Sequence, residues 1–234
     1  MIAGLSKAIT LYLAPVLMLT SILLSLFAYL APVLMLQTRV SLMSVVPSTK
    51  LTDGDGSDVD GPSVFMGALG SCSRTNNDAA VNCTIPVFEP RYDVSVLPNN
   101  APTVLLSAPA ATTPVFIGLS IAFSIVFFFT FTLISFQHKM GKAGGMFAKP
   151  MIQRLSAWIG FFGFMMGITA FVVVRMWFGK TISDFNTIIR NMDGNDAPEL
   201  KAVEGNGFTM VWVAYAFYAV PLILSLSKLN VSKE

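Results

Sequence analysis

The sequence predicts an all-α membrane protein, a four-helix transmembrane bundle carrying a small extracellular β-sheet. Three observations lead there. Of 234 residues, 54% are hydrophobic and only 12% charged, with a mean hydropathy of +0.67, an excess that a soluble core does not need. Four apolar stretches reach the roughly 20 residues needed to cross a bilayer. The long polar segment after the first of them alternates in the β manner and holds the only two cysteines.

Taken in order, residues 1–7 form a short N-terminal segment with Lys7, and residues 8–36 the first span. This span exceeds the apolar core of a signal peptide, about 7 to 15 residues, and no convincing small-x-small cleavage site follows, so it reads as a retained helix. It contains a duplicated octapeptide, Tyr-Leu-Ala-Pro-Val-Leu-Met-Leu, at 12–19 and again at 29–36. Its prolines, Pro15 and Pro32, can each bend or end a helix, so the span is expected to finish before Leu36.

Residues 37–113 make the large outer loop, with strands expected near 38–46, 64–71, 80–88 and 92–97. The second span, 114–136, carries Phe123, Phe127, Phe128, Phe129, Phe131 and Phe136 on nearly all sides, as lipid-facing and bundle-filling residues do. A basic loop, 137–154, precedes the third span at 155–178. Gly163 and Gly167 in that span have the small-xxx-small spacing of close helix packing, within the bundle by default and against a second copy as the functional alternative. An outer loop at 179–207, a fourth span at 208–226 containing Pro221, and a tail at 227–234 complete the chain.

The basic loop holds Lys139, Lys142, Lys149 and Arg154 and no acidic residue, which marks it as cytoplasmic by the positive-inside rule. An even number of spans then puts both termini on the same side. The first loop carries Asp53, Asp55, Asp58, Asp60, Asp78, Glu89 and Asp93, and the third Asp184, Asp193, Asp196, Glu199 and Glu204; both are expected outside. Cys72 and Cys83 fall in the first loop, where an oxidising environment permits a disulfide. Closing so short a loop stabilises a two-strand unit by about 2 to 3 kcal/mol, and the reading of this bridge is structural. Asn82-Cys83-Thr84 is a glycosylation acceptor on the same side, whereas Asn230-Val231-Ser232, in the cytoplasmic tail, is expected to be unused.

Little in the chain suggests chemistry. The run from Asp53 to Asp60 has alternate carboxylates, but an EF-hand started there would carry Asp58 and Val64 where Gly and Glu belong, so it reads as a solvated hairpin tip. One histidine and two paired cysteines supply neither a nucleophile-base set nor a metal cluster, and no enzyme activity or cofactor is expected. No Asp, Glu, Lys or His lies near the centre of a span, which removes the usual residues of an ion path. Arg175 and Trp177 are placed to anchor at the interface. His138, beside Lys139, reads as a solvated interfacial residue, with a pH switch as the alternative. A net charge of +2 without a dense basic cluster excludes nucleic acid as a partner; the segment from Lys139 to Arg154 suits anionic inner-leaflet lipid instead.

The segment Gly67-Ala68-Leu69-Gly70-Ser71-Cys72, followed by Cys83, matches the Gly-apolar-apolar-Gly-x-Cys…Cys signature of claudin-like fungal tetraspan proteins. With Arg91-Tyr-Asp-Val-Ser-Val-Leu-Pro98 behind it and four spans around it, the chain resembles the Sur-seven/PalI family of cortical-patch and pH-response membrane proteins. The signature is shared with the Fig-one mating and calcium-uptake proteins and, more distantly, with animal claudins. The resemblance implies residence in the fungal plasma membrane, in furrow-like domains (eisosomes) or at cell contacts. It also implies roles in membrane organisation, wall integrity, endocytosis or pH sensing, with membrane lipids, further copies or other cortical membrane proteins as partners. Two departures bear on the choice. The claudin Trp-Gly-Leu-Trp pattern is missing, since no tryptophan precedes Trp158, which argues against a paracellular seal. The short tail argues against PalI-type signalling and favours a compact organiser. Gly67 and Gly70 are expected to be architectural, because glycine permits close backbone approach.

Overall fold

The computed structural model describes residues 9–48, 59–106, 112–141, 144–147, 149–192 and 197–231. The chain divides into two compact units: Met1–Leu26, Phe116–Thr169 and Met210–Glu234 form the first, and Phe27–Val115 with Ala170–Thr209 the second.

Among the described residues, four helices are long and apolar enough to cross a membrane. Helix α1 is Ala14–Leu30, preceded by a π-helical turn at Ile9–Leu13. Pro15, the second residue of α1, has no amide to return to Leu11, so the change of winding falls in the turn where no such bond is possible. Helix α2 is Thr112–Ser135, α3 is Pro150–Asn191 and α4 is Gly207–Val231. Between α2 and α3 lie a 3-10 turn at Gln137–Lys139 and a helical turn at Gly144–Phe147.

The first unit is built on close approach between α2, α3 and α4. A Cβ on Gly167 would meet the Tyr215 hydroxyl and Ser120 Oγ, and one on Gly160 would stand 2.7 Å from the Phe127 ring. Without side chains at these positions, backbone carbonyls of α3 are open to polar groups from its neighbours. Ser120 Oγ donates to the Gly163 carbonyl at 2.7 Å and the Tyr218 hydroxyl to the Gly160 carbonyl at 3.0 Å. Such bonds, made away from water, hold helices where apolar burial alone has little to offer. Around them Phe127 stacks on Tyr218 at 5.8 Å and Phe164 meets both Tyr215 and Tyr218 edge-on. Of the phenylalanine series of α2, Phe127 and Phe131 are core and Phe129 faces outward.

The second unit contains a five-stranded antiparallel sheet in the order β4-β3-β2-β1-β5. The strands are β1 Met43–Pro47, β2 Ser63–Met66, β3 Ser71–Arg74, β4 Asn82–Cys83 and β5 Leu200–Glu204. Four strands come from the loop between α1 and α2 and the fifth from the loop between α3 and α4. Strand β5 pairs along the whole of β1, from Met43 opposite Glu204 to Pro47 opposite Leu200.

The helix of the first span ends at Leu30, before Leu36, as its prolines lead one to expect, and the peptide bond joining Ala31 to Pro32 is cis. Other sequence expectations need correction. The helix of the third span does not stop at Phe178; α3 runs 42 residues to Asn191, about 63 Å at 1.5 Å per residue, longer than a hydrocarbon core of about 30 Å. Its C-terminal half keeps a buried stripe at Phe171, Val174, Phe178, Thr181, Phe185 and Ile189, the 3-4 spacing of one helix face. Arg154 lies in the first turns of α3 rather than in a loop, and α4 passes through Pro221 to Val231. In the first interhelical loop, β1 begins only at Met43, because the Arg39 and Val40 amides turn back to the Leu36 carbonyl. The 64–71 stretch is two strands reversing at 67–70, 80–88 reduces to Asn82–Cys83, and 92–97 is no strand. That last segment is tied by side chains instead of a ladder.

Candidate functional site

The motif Gly67-Ala68-Leu69-Gly70-Ser71-Cys72 is the turn of the β2-β3 hairpin. The Gly67 amide donates to the Gly70 carbonyl at 2.9 Å, closing the reversal. Both glycines are required by their surroundings. A Cβ on Gly67 would run into the Ala31 carbonyl and the Pro32 ring, and Gly70 has φ +154°, where a Cβ would meet the Thr84 hydroxyl and Val33. A side chain is therefore excluded at Gly67 by space and disfavoured at Gly70 by backbone conformation as well. Ala68 and Leu69 between them are buried.

Cys72 and Cys83 face each other across β3 and β4 and are joined as a disulfide, 11 residues apart in sequence. The bridge fixes the two-residue edge strand, which is too short to hold by ladder bonds alone. Thr84 continues the attachment: its hydroxyl donates to the Ser71 carbonyl at 3.2 Å and accepts from the Ser71 amide at 3.0 Å. Asn82 is exposed on β4, so the acceptor side chain of the sequon is free of the core while its threonine is engaged.

Tyr92 locks the hairpin from the other direction. Its buried hydroxyl donates to the Gly67 carbonyl at 3.1 Å, and the Asp93 amide donates to Ser71 Oγ at 2.8 Å. Burial pushes the Tyr92 phenol up from its ordinary value, keeping it a neutral donor. Hydrogen bonds from the Ser95 hydroxyl and amide hold the Asp93 carboxyl below its ordinary range. The Tyr92 ring also packs 6.3 Å from Phe178 on α3.

On the far edge of the sheet, α3 holds β5. Asn186 Nδ2 donates to the Ala202 carbonyl at 2.8 Å and the Ala202 amide donates to Asn186 Oδ1 at 2.9 Å. Three turns earlier on the same face, Arg175 forks onto Glu204, Nε to Oε1 at 2.9 Å and Nη2 to Oε2 at 3.3 Å. Arg175, expected as an interfacial anchor, thus also positions a strand end, while both partners stay about half exposed. The sequence reading missed Asn186, Glu204, Thr84 and Tyr92. A signal for the first existed: Phe185 and Ile189 continue the apolar period of the span past the point where mean hydropathy falls.

The remaining predicted residues fall elsewhere. Gly163 and Gly167 face Ser120, Phe123, Tyr215 and Tyr218 within the first unit, so this glycine pair serves intramolecular packing. Lys139, Lys149 and Arg154 are exposed, Lys139 standing 5.8 Å over the Phe136 ring; Lys142 lies outside the described residues. The acidic run Asp53 to Asp58 also lies outside them, while Asp60 accepts the Asn77 amide at 2.8 Å. No cluster of three or more His, Cys, Asp or Glu suited to a metal occurs among the described residues.

These observations define a multi-pass membrane protein whose first and third interhelical loops combine in one disulfide-closed sheet. No family model matches the chain, and no curated protein matches it.

Proposed function

We propose that the protein is a claudin-like tetraspan of the fungal Sur-seven/PalI type that organises domains of the plasma membrane, without enzymatic activity. The observation that carries this reading is the hairpin: the signature glycines, the cystine and Tyr92 form one interlocked element, seated on the chain as it leaves α1. Such a rigid outer platform suits lateral recognition between membrane proteins. The basic segment with Lys139, Lys149 and Arg154 suits contact with anionic lipid on the opposite side. In this reading the sheet is extracellular, both termini are cytoplasmic and Asn82 is open to glycosylation, as the distribution of lysine and arginine supports.

The test is live imaging of the full chain with a C-terminal fluorescent protein in a fungal cell, with recovery after bleaching, for the native sequence and for Cys72→Ser. Stable cortical patches that recover slowly, and that disperse in the variant, are expected. Uniform, freely diffusing signal in the native chain overturns the organiser reading in favour of pH signalling or regulated calcium entry.

A further inference from the structure

The segment after β4 offers an unexplained surface. Ile85, Val87 and Phe88 are 81%, 39% and 58% exposed, and no charged residue occurs from Val81 to Phe88. Three apolar side chains in four residues, turned outward beside a cystine, are costly in water and mark an interaction surface.

The position of the segment names the occupant. The first span ends at Leu30. Three residues later Val33 lies against Gly70, where a Cβ would meet both Val33 and the Thr84 hydroxyl. The Val87 amide then donates to the Leu69 carbonyl at 3.1 Å. Thr84 is therefore held close to Val33, just past the end of the first apolar helix, and Val87 is tied to the same turn through Leu69. The chain past that helix itself exposes Leu34 and Leu36, 54% and 41%. The apolar tip thus lies beside a second exposed apolar stretch that follows directly on a helix long and apolar enough to cross a membrane.

We propose that residues 85–88 dip into the headgroup-acyl boundary of the leaflet from which α1 emerges, with Ile85, Val87 and Phe88 as the inserted side chains. Apolar side chains at this depth are stabilised by burial while flanking polar groups remain in water; Glu89 and Arg91 are such flanks. The cystine at Cys83 and the ring of Pro86 fix the backbone beforehand, so ordering costs little. The sheet would then be held to the bilayer at a second point besides its covalent helices.

The experiment places a nitroxide at Ile85→Cys and, separately, at Phe88→Cys in the full-length chain, one copy per phosphatidylcholine nanodisc. Thr75→Cys, on an exposed turn of the same sheet, is the reference. Collision with dissolved oxygen, which concentrates in lipid, is compared with collision with a water-soluble nickel chelate. A ratio several-fold higher at both test positions than at Thr75 is expected. A ratio equal to the reference overturns the proposal, and so does exclusion of both reagents, which means protein covers the tip. Because a new thiol beside Cys83 can disturb the native bridge, Phe88→Trp supplies a second reading. Lipid brominated near the headgroup is expected to quench it beyond the native tryptophan background, and unchanged quenching overturns the proposal.

Discussion

Asn186 satisfies both backbone groups of Ala202, donating to its carbonyl at 2.8 Å and accepting from its amide at 2.9 Å. Ala202 lies on the edge strand β5, so one side chain from α3 occupies the place that a further strand would take. Edge strands left open recruit other chains, and a carboxamide that matches an amide pair is an economical block. Asn186→Ala should lower stability by about 1 to 3 kcal/mol, the loss of two hydrogen bonds with a partly buried edge. Thermal unfolding of the purified protein, with self-association followed by light scattering, checks both consequences.

Gly67→Ala should prevent formation of the native hairpin, because the added methyl meets backbone, the Ala31 carbonyl, that has nowhere to go. The expected outcome is loss of the oxidised, monodisperse species on non-reducing gels and size exclusion. Ala68→Gly, one residue away in the same turn, should retain it.

The double variant Cys72→Ser/Cys83→Ser should lose about 2 to 3 kcal/mol through the freed denatured chain. Hydrogen exchange should rise first at β4 and residues 84–88, which depend on the bridge for their place, and least at β1, which is paired on both sides.

In the first unit, Gly167→Ala drives a methyl against the Tyr215 hydroxyl and Ser120 Oγ. It should destabilise the helical bundle. Tyr215→Phe removes one of the two obstructing atoms, so the double variant should be more stable than the sum of the single losses allows, with a coupling of about 0.5 to 3 kcal/mol. A double-mutant cycle in detergent unfolding measures it.

Asp93 gives a pH dependence of known sign. Its carboxyl titrates below its ordinary value in the folded protein because Ser95 donates to the ionised form. The stabilisation is complete above the ordinary value, near 3.8, and is lost as pH falls through the depressed folded value. Unfolding measured from pH 6 down to about 2 should show this decline, and Asp93→Asn should flatten it.

The duplicated octapeptide shows where sequence legibility ends. The copy at 12–19 is helical, whereas the copy at 29–36 leaves the helix after its second residue. Identical local propensities produce two conformations, so the difference comes from surroundings. Around the second copy, Gly67 presses on the Ala31 carbonyl and Val33 meets Gly70, contacts with residues more than 30 positions away. The spans and the cystine were readable because burial in lipid and thiol pairing depend on composition. Strand β5 was not, since Leu200–Glu204 is a strand only through β1. Tyr92 read as part of a strand because alternation in 92–97 resembles a ladder, although its phenol bonds to Gly67 instead. The glycine roles of 67 and 70 were legible in kind; that Gly67 yields to a carbonyl just past the end of the first helix was not.

The pairing of β1 with β5 sets a timetable for biogenesis. Strand β1 emerges early, while its partner is separated from it by roughly 150 residues, and at about 5 to 20 residues per second the ribosome needs on the order of 10 seconds to supply it. During that interval the hairpin and its cystine can close, but one flank of β1 stays bare. Chaperones that shield unpaired strands therefore have a defined client window, which ends only when the fourth helix is delivered to the translocon. A nonsense codon within the third loop, before Leu200, would make that window permanent, and such a truncated chain should be retained and degraded although three spans and the disulfide are intact.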